Sequence, residues 1–182
     1  MNLYHVSFMP AGPLHPRVPE HRLPCEDSVT PRICCSTSVE GCIMAKPDGL
    51  DYLLMCREIG LPCVLYVYNF DVKEWEWDET IVTPHTLEQK YGVLDAVWNQ
   101  EHWLLEDRPY EKTVCKVVDF DCFYGELKRV WTSHILSSSD FFLVNVCRRC
   151  SEKTGSYTTP EQLVQIKTEV CDILLKKLKK EP

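Results

Sequence analysis

Two side chains separated by half the chain have the chemistry to engage a polar ligand. They are His5, within Leu3-Tyr4-His5-Val6-Ser7, and Glu101, at the head of Glu101-His102-Trp103-Leu104-Leu105. An imidazole both donates and accepts near neutral pH, and a carboxylate can steady a developing positive charge. Each also has a plain structural reading: a satisfied histidine on a half-buried strand, and an edge carboxylate on an apolar one. Arg17, Arg22 and Arg32 lie between them. A guanidinium fork suits a diphosphate, although Glu26 and Asp27 are close enough in sequence to pair with these arginines instead. Ser36-Thr37-Ser38 reads first as a helix cap and second as a source of pocket hydroxyls.

Other chemistries find less material. Cys147-Arg148-Arg149-Cys150 is a single C-x-x-C. A zinc site needs four ligands, and a second pair at matching spacing is missing, with only Cys122 and His134 as distant completing ligands. No metal is expected. A redox role would need that motif at a strand-to-helix start. The 7 glycines form neither G-x-G-x-x-G nor a phosphate-binding loop, and neither G-x-S-x-G nor H-E-x-x-H occurs.

The elements that must position these groups follow from periodicity. Residues 2–7 read as a short strand with Tyr4 and Val6 on one face and His5 on the other. Residues 8–31 are a long proline-rich connection, of the kind usually found as a binding loop. Arg32-Ile33-Cys34-Cys35 is a second strand, followed by a helix over about 39–45 that Lys46-Pro47-Asp48-Gly49 ends. Residues 50–59 are helical or irregular, and 62–70 are a clear strand rich in β-branched and aromatic residues. Glu74-Trp75-Glu76-Trp77-Asp78-Glu79 reads as a solvated hairpin edge, or else as a partner-binding patch. Residues 83–97 carry turn and short-helix signals, 101–105 and 114–120 are strands, and 106–109 are a turn. Residues 125–146 give no clear pattern; 141–146 suit a strand or a buried helical turn. Pro160 and the apolar series Leu163, Ile166, Val170, Ile173, Leu174 and Leu178 predict an amphipathic C-terminal helix with a lysine-rich last turn.

Composition sets the outer bounds. A chain of 182 residues, 45% hydrophobic and 26% charged, suits one α+β domain over 1–182, with 125–182 as a helical cap or extension. A net charge of -7 gives no general attraction to a phosphate backbone, so bulk nucleic-acid binding is not expected. The opening residues lack the charged and apolar regions of a secretory signal, and no apolar run approaches membrane-spanning length. With 11 cysteines, several inside apolar runs, the expectation is a reducing cytoplasm in which most of them pack as small hydrophobes.

Three segments, in order, resemble the ADP-ribosyltransferase superfamily. Leu3-Tyr4-His5-Val6-Ser7 is similar to its opening strand, Arg32-Ile33-Cys34-Cys35-Ser36-Thr37-Ser38 to its second motif strand and following helix, and Gln100-Glu101-His102-Trp103-Leu104-Leu105 to the strand that begins with its catalytic glutamate. The resemblance implies small mixed or antiparallel sheets around a split cleft that binds NAD. It implies that His5 holds a hydroxyl of the adenosine-side ribose. It also implies that Glu101 holds the nicotinamide ribose and orients the acceptor, and that the Cys34–Ser38 stretch lines the nicotinamide pocket. On that basis the catalytic residues are Glu101 and His5, and the binding residues His5, Ser7, Arg17, Arg22, Arg32, Cys34, Ser36 and Ser38. The implied reaction cleaves NAD and transfers ADP-ribose to a macromolecule, with protein the expected acceptor class, in the setting of a toxin or phage effector. Cleaving a bond to a cationic nicotinamide needs little help for the leaving group, so one carboxylate can serve. Two alternatives stand beside it: a non-catalytic binder of an NAD- or ADP-ribose-derived nucleotide, and an inhibitor that blocks a partner through the acidic, tryptophan-rich stretch.

Overall fold

Alternating apolar positions in β-branched and aromatic runs build one antiparallel sheet. The structure, a computed structural model, describes residues 1–9, 12–20, 26–73, 80–137 and 140. In chain order the elements are β1 (Asn2–Ser7), β2 (Ile33–Ser36), α1 (Val39–Met44), α2 (Gly49–Ile59), β3 (Cys63–Asp71), β4 (Ile81–Val82), α3 (Pro84–Tyr91), α4 (Ala96–Asn99), β5 (Glu101–Leu104), β6 (Glu111–Phe123) and β7 (Glu126–Ser133). The class is α+β. The expected small, mixed or antiparallel sheets are replaced by one seven-stranded sheet, ordered β4-β5-β2-β1-β3-β6-β7, in which every pairing is antiparallel.

The continuity of that sheet is uneven. β1 pairs with β3 from Asn2 to Ser7, and β2 pairs with β5 from Ile33 to Ser36. Between β1 and β2 the register holds a single pair, Tyr4 opposite Ser36. The sheet is therefore two halves, β4-β5-β2 and β1-β3-β6-β7, joined at one point. Upstream of β2 the proline-rich connection supplies another neighbour. Arg17 and Arg32 exchange backbone hydrogen bonds of 3.1 and 3.0 Å as an isolated bridge.

Each face buries its own cluster. Leu3, Ile33, Cys35, Tyr66, Tyr68, Phe70 and Leu104 pack together on one side. On the other, Val6, Leu65, Cys63 and Cys115 meet Cys42 and Ile43 of α1 and Leu53 and Cys56 of α2. A third cluster joins Leu87 of α3 and Ala96 of α4 to Trp103. Tyr4 and Val6 thus share a face, with Leu3 on the opposite one, as their alternation predicts. Of the seven cysteines within the described residues, all unpaired, five are buried in these clusters.

Local sequence explains the ends of the elements. Ser38 caps α1 by accepting from the Gly41 amide at 3.0 Å. A side chain at Gly41 would force its neighbours to shift, since a Cβ would lie 2.2 Å from Ser36 Oγ and 2.5 Å from the Asn99 carbonyl. That clearance lets Ser36 Oγ donate to the Asn99 carbonyl at 2.6 Å, tying β2 to the residues before β5. The β6–β7 turn places Tyr124 and Gly125 at φ 52° and 78°, the two successive positive φ values of a tight hairpin. The helix expected over 160–178, Glu74–Glu79, Arg22, Phe141–Val146 and the Cys147/Cys150 pair lie outside the described residues. Among the described residues no helix is long and apolar enough to cross a membrane.

Candidate functional site

A cavity of about 860 Å³ has both His5 and Val6 of β1 and Ile33, Cys34 and Cys35 of β2 in its wall, where the two half-sheets part. Arg17, Arg32 and Glu101 line it too. So do His15, Glu20 and Glu26 from the proline-rich connection, Lys46 and Asp48 from the turn after α1, and Asp95 from the start of α4.

His5 is half-buried, and its Nδ1 lies 2.8 Å from the Cys34 carbonyl. A carbonyl only accepts, so Nδ1 carries the proton, and the neutral ring presents Nε2 as an acceptor. Burial is the main reason the His5 pKa falls to about 4; the charges of Lys46 and Arg17 lower it further, against the opposing pull of the Cys34 carbonyl. His5 is therefore uncharged at neutral pH. Its ring also sits 5.8 Å from that of Tyr68.

Glu101 is 7% exposed and receives a 2.8 Å hydrogen bond from Trp103 Nε1 on Oε1. Burial raises its pKa to about 7, Asp95 and Glu26 add to the rise, and the hydrogen bonds from Trp103 and the Cys34 thiol oppose it. Its backbone is set by Gln100, which takes φ 52°, a left-handed conformation unusual for a side chain of that size and one that turns α4 into β5. Asn99, just before it, is held by Asp95 Oδ2 at 2.6 Å.

Arg32 does not offer a fork to the cavity. Its side chain is 1% exposed. Nη1 donates to the Asp27 and Thr30 carbonyls at 3.1 and 3.0 Å, and the guanidinium stacks 3.7 Å from the centre of the Trp103 ring. Nε is buried without a hydrogen-bond partner. Arg32 thus clamps Trp103, which in turn holds Glu101. Cys34 shares hydrogen bonds with Arg32 and Glu101; burial first, then the Glu101 charge, drives its thiol far above the usual range, so it stays protonated. The Cys42 thiol donates to the Tyr4 carbonyl at 2.8 Å and is pushed up to about 12, chiefly by burial.

The other expected binding residues do different work. Ser7 Oγ bonds the Met9 backbone, Ser36 Oγ is committed to Asn99, and Ser38 caps α1; none of the three is in the cavity wall. Of the nine residues expected from sequence, His5, Arg17, Arg32, Cys34 and Glu101 meet at one cavity. Arg22 lies outside the described residues. Lys46, Asp95 and His15 were not anticipated. Lys46 belongs to a turn that reads as a helix stop, and Asp95 to a short-helix signal; a lone charge in either segment carries no spacing that marks a site. Among the described residues no group of three or more His, Cys, Asp or Glu side chains is arranged to hold a metal.

Comparison with protein-family models, curated proteins and solved structures gives no match.

Proposed function

We propose that the cavity between the half-sheets binds NAD, and that the protein cleaves the nicotinamide–ribose bond and transfers ADP-ribose to a macromolecular acceptor. The observation that carries this reading is the meeting of His5 and Glu101 at one cavity, from strands that resemble two of the superfamily's motif strands. A volume of about 860 Å³ lies in the upper part of the ~300–1,000 Å³ range usual for ligand pockets, large enough for a dinucleotide.

In this reading His5 Nε2 accepts from a hydroxyl of the adenosine-side ribose. Arg17 and Lys46 bring positive charge to the diphosphate. Glu101 takes a hydroxyl of the nicotinamide ribose and faces the cationic carbon that forms as the bond breaks. A carboxylate poised near pH 7 suits that task. The cationic nicotinamide ring favours its ionised form on binding, and the low-dielectric wall strengthens the attraction. Arg32 acts through Trp103 as a positioning residue, with no direct hold on the diphosphate.

The test is NAD binding by calorimetry together with nicotinamide release and transfer of labelled ADP-ribose, comparing the wild type with Glu101→Gln and His5→Ala. Turnover that disappears in Glu101→Gln while binding persists supports the enzyme. Tight binding of NAD or ADP-ribose by the wild type without turnover supports the binder alternative. A wild type that binds neither ends both.

A further inference from the structure

Away from the cavity, two thiols touch each other. Cys56 stands in the last turn of α2 and Cys63 opens β3. Gly60, at φ 66°, ends the helix, and the Leu61 amide donates to the Cys56 carbonyl at 2.8 Å, so the turn that brings the chain back is fixed. Both side chains pack in the cluster that holds Leu53, Leu65 and Phe120, at 3% and 4% exposure. The Cys63 thiol donates to the Cys56 sulfur, and the Tyr52 hydroxyl adds a second hydrogen bond to it. The bond from Cys63 is the main reason the Cys56 pKa falls below the usual thiol value, against the opposing effect of burial. The same bond, then burial, pushes Cys63 well up. Other thiols are committed elsewhere: Cys34 to Arg32 and Glu101, Cys42 to the Tyr4 carbonyl, and Cys115 to Thr132. The pair thus sets one nucleophilic sulfur against a second thiol that can resolve what forms on it.

We propose that Cys56 and Cys63 are an oxidation site, at which a small peroxide converts the two thiols to a reversible disulfide that staples α2 to β3. This stands independently of the NAD-cleaving reading. The Cys56 sulfur, as thiolate, attacks one peroxide oxygen. The O–O bond breaks, its electron pair leaves with hydroxide, and Cys56 becomes a sulfenic acid. The proton that Cys56 gave up turns that hydroxide into water. The Cys63 sulfur then attacks the Cys56 sulfur. The S–O bond breaks, and the departing hydroxide takes the Cys63 proton as a second water. The two thiols lose two electrons in all, and the peroxide gains them. Sulfurs already in hydrogen-bond contact need only a small side-chain movement to bond. Burial selects the oxidant. Hydrogen peroxide is small and uncharged and can reach a sulfur that is 3% exposed, whereas the bulky, charged disulfide of glutathione cannot.

The test uses the full chain, folded and fully reduced. It is exposed to hydrogen peroxide or to oxidised glutathione, its remaining thiols are alkylated, and its peptides are mapped by mass. Cleavage after Arg57 separates the two cysteines, so their bond reads as two peptides joined until dithiothreitol is added. Peroxide should remove Cys56 and Cys63 from the alkylated pool together, one for one, while Cys42 and Cys115 remain alkylated, and dithiothreitol should return both. Cys63→Ala should stop at a Cys56 sulfenic acid that dimedone captures, and Cys56→Ala should leave Cys63 unreactive. Peroxide treatment that leaves both thiols of the wild type alkylated overturns the proposal. So does a bond from either one to Cys115, or a glutathione adduct on Cys56 formed as fast as the peroxide product. The wild-type map decides the matter even where a variant does not fold.

Discussion

The two walls of the cavity face the same problem and end with opposite shifts. On the β1 wall, burial drives His5 down to about 4, and on the β5 wall burial drives Glu101 up to about 7. Both shifts favour the uncharged form, because a low-dielectric site penalises whichever state bears charge. The supports differ. His5 rests against a backbone carbonyl and the ring of Tyr68, within the face that holds Leu3 and Phe70. Glu101 belongs to a polar chain that runs from Asp27 and Glu26 through Arg32 and Trp103. Near neutral pH the β1 wall therefore presents an uncharged imidazole, whereas the carboxyl of the β5 wall has its pKa close to that pH.

The strongest way to break this comparison is to remove that carboxyl. Glu101→Gln should lower nicotinamide release by about 10²–10³-fold, comparable to losing a major electrostatic contact to a transition state. His5→Ala should act mainly on NAD affinity. A ratio of effects on kcat and KM that is the same for both variants would erase the distinction.

Stability against pH separates the walls next. The folded pKa of Glu101 is raised from 4.5, so its contribution is full below pH 4.5 and declines as pH rises toward 7. The difference is about 3 kcal/mol at ~1.4 kcal/mol per pH unit. The folded pKa of His5 is lowered from 6.5, so its contribution is full above pH 6.5 and is lost as pH falls toward 4, by a similar amount. Between about pH 4.5 and 6.5 the two oppose each other. Urea unfolding of Glu101→Gln should show stability climbing with pH across that window, and His5→Gln should show it falling. Parallel curves would contradict the assignment.

Two smaller effects probe how the β5 wall is held. Gly41→Ala should cost about 1–3 kcal/mol in thermal or urea unfolding, because the added methyl overpacks the Ser36–Asn99 link. Trp103→Phe removes the Oε1 donor, one of the influences holding the Glu101 pKa down. The pH midpoint of nicotinamide release should move to higher pH, while the midpoint for His5-dependent stability stays in place.

Much of the scaffold was legible because it obeys simple periods. β1, β3 and β5 alternate or run apolar, and Ser38 before Val39 marks a capped helix. β7 was not legible. Its partner β6 shifts register between Val117 and Asp119 and again between Asp121 and Cys122, so period-2 alternation is lost on that edge. β4 is two residues long, too short for any pattern. Within the site, His5 and Glu101 could be picked out as strand-borne groups set in recognisable runs. The roles of Arg32 and Ser36 could not, since stacking on Trp103 and bonding to Asn99 depend on partners about 60 to 70 positions away that only the fold brings near. His15 was invisible for the same reason, its carboxylate lying 92 residues downstream.

The lone rung between Tyr4 and Ser36 has a mechanical consequence. A ladder held by one rung resists sliding poorly and lets its rails rock about that rung. A ligand spanning His5 on one rail and Glu101 on the other would add a cross-brace to the core that Leu3, Ile33, Cys35 and Leu104 already share across the seam. The weak seam in the sheet is then the part that a ligand can stiffen most.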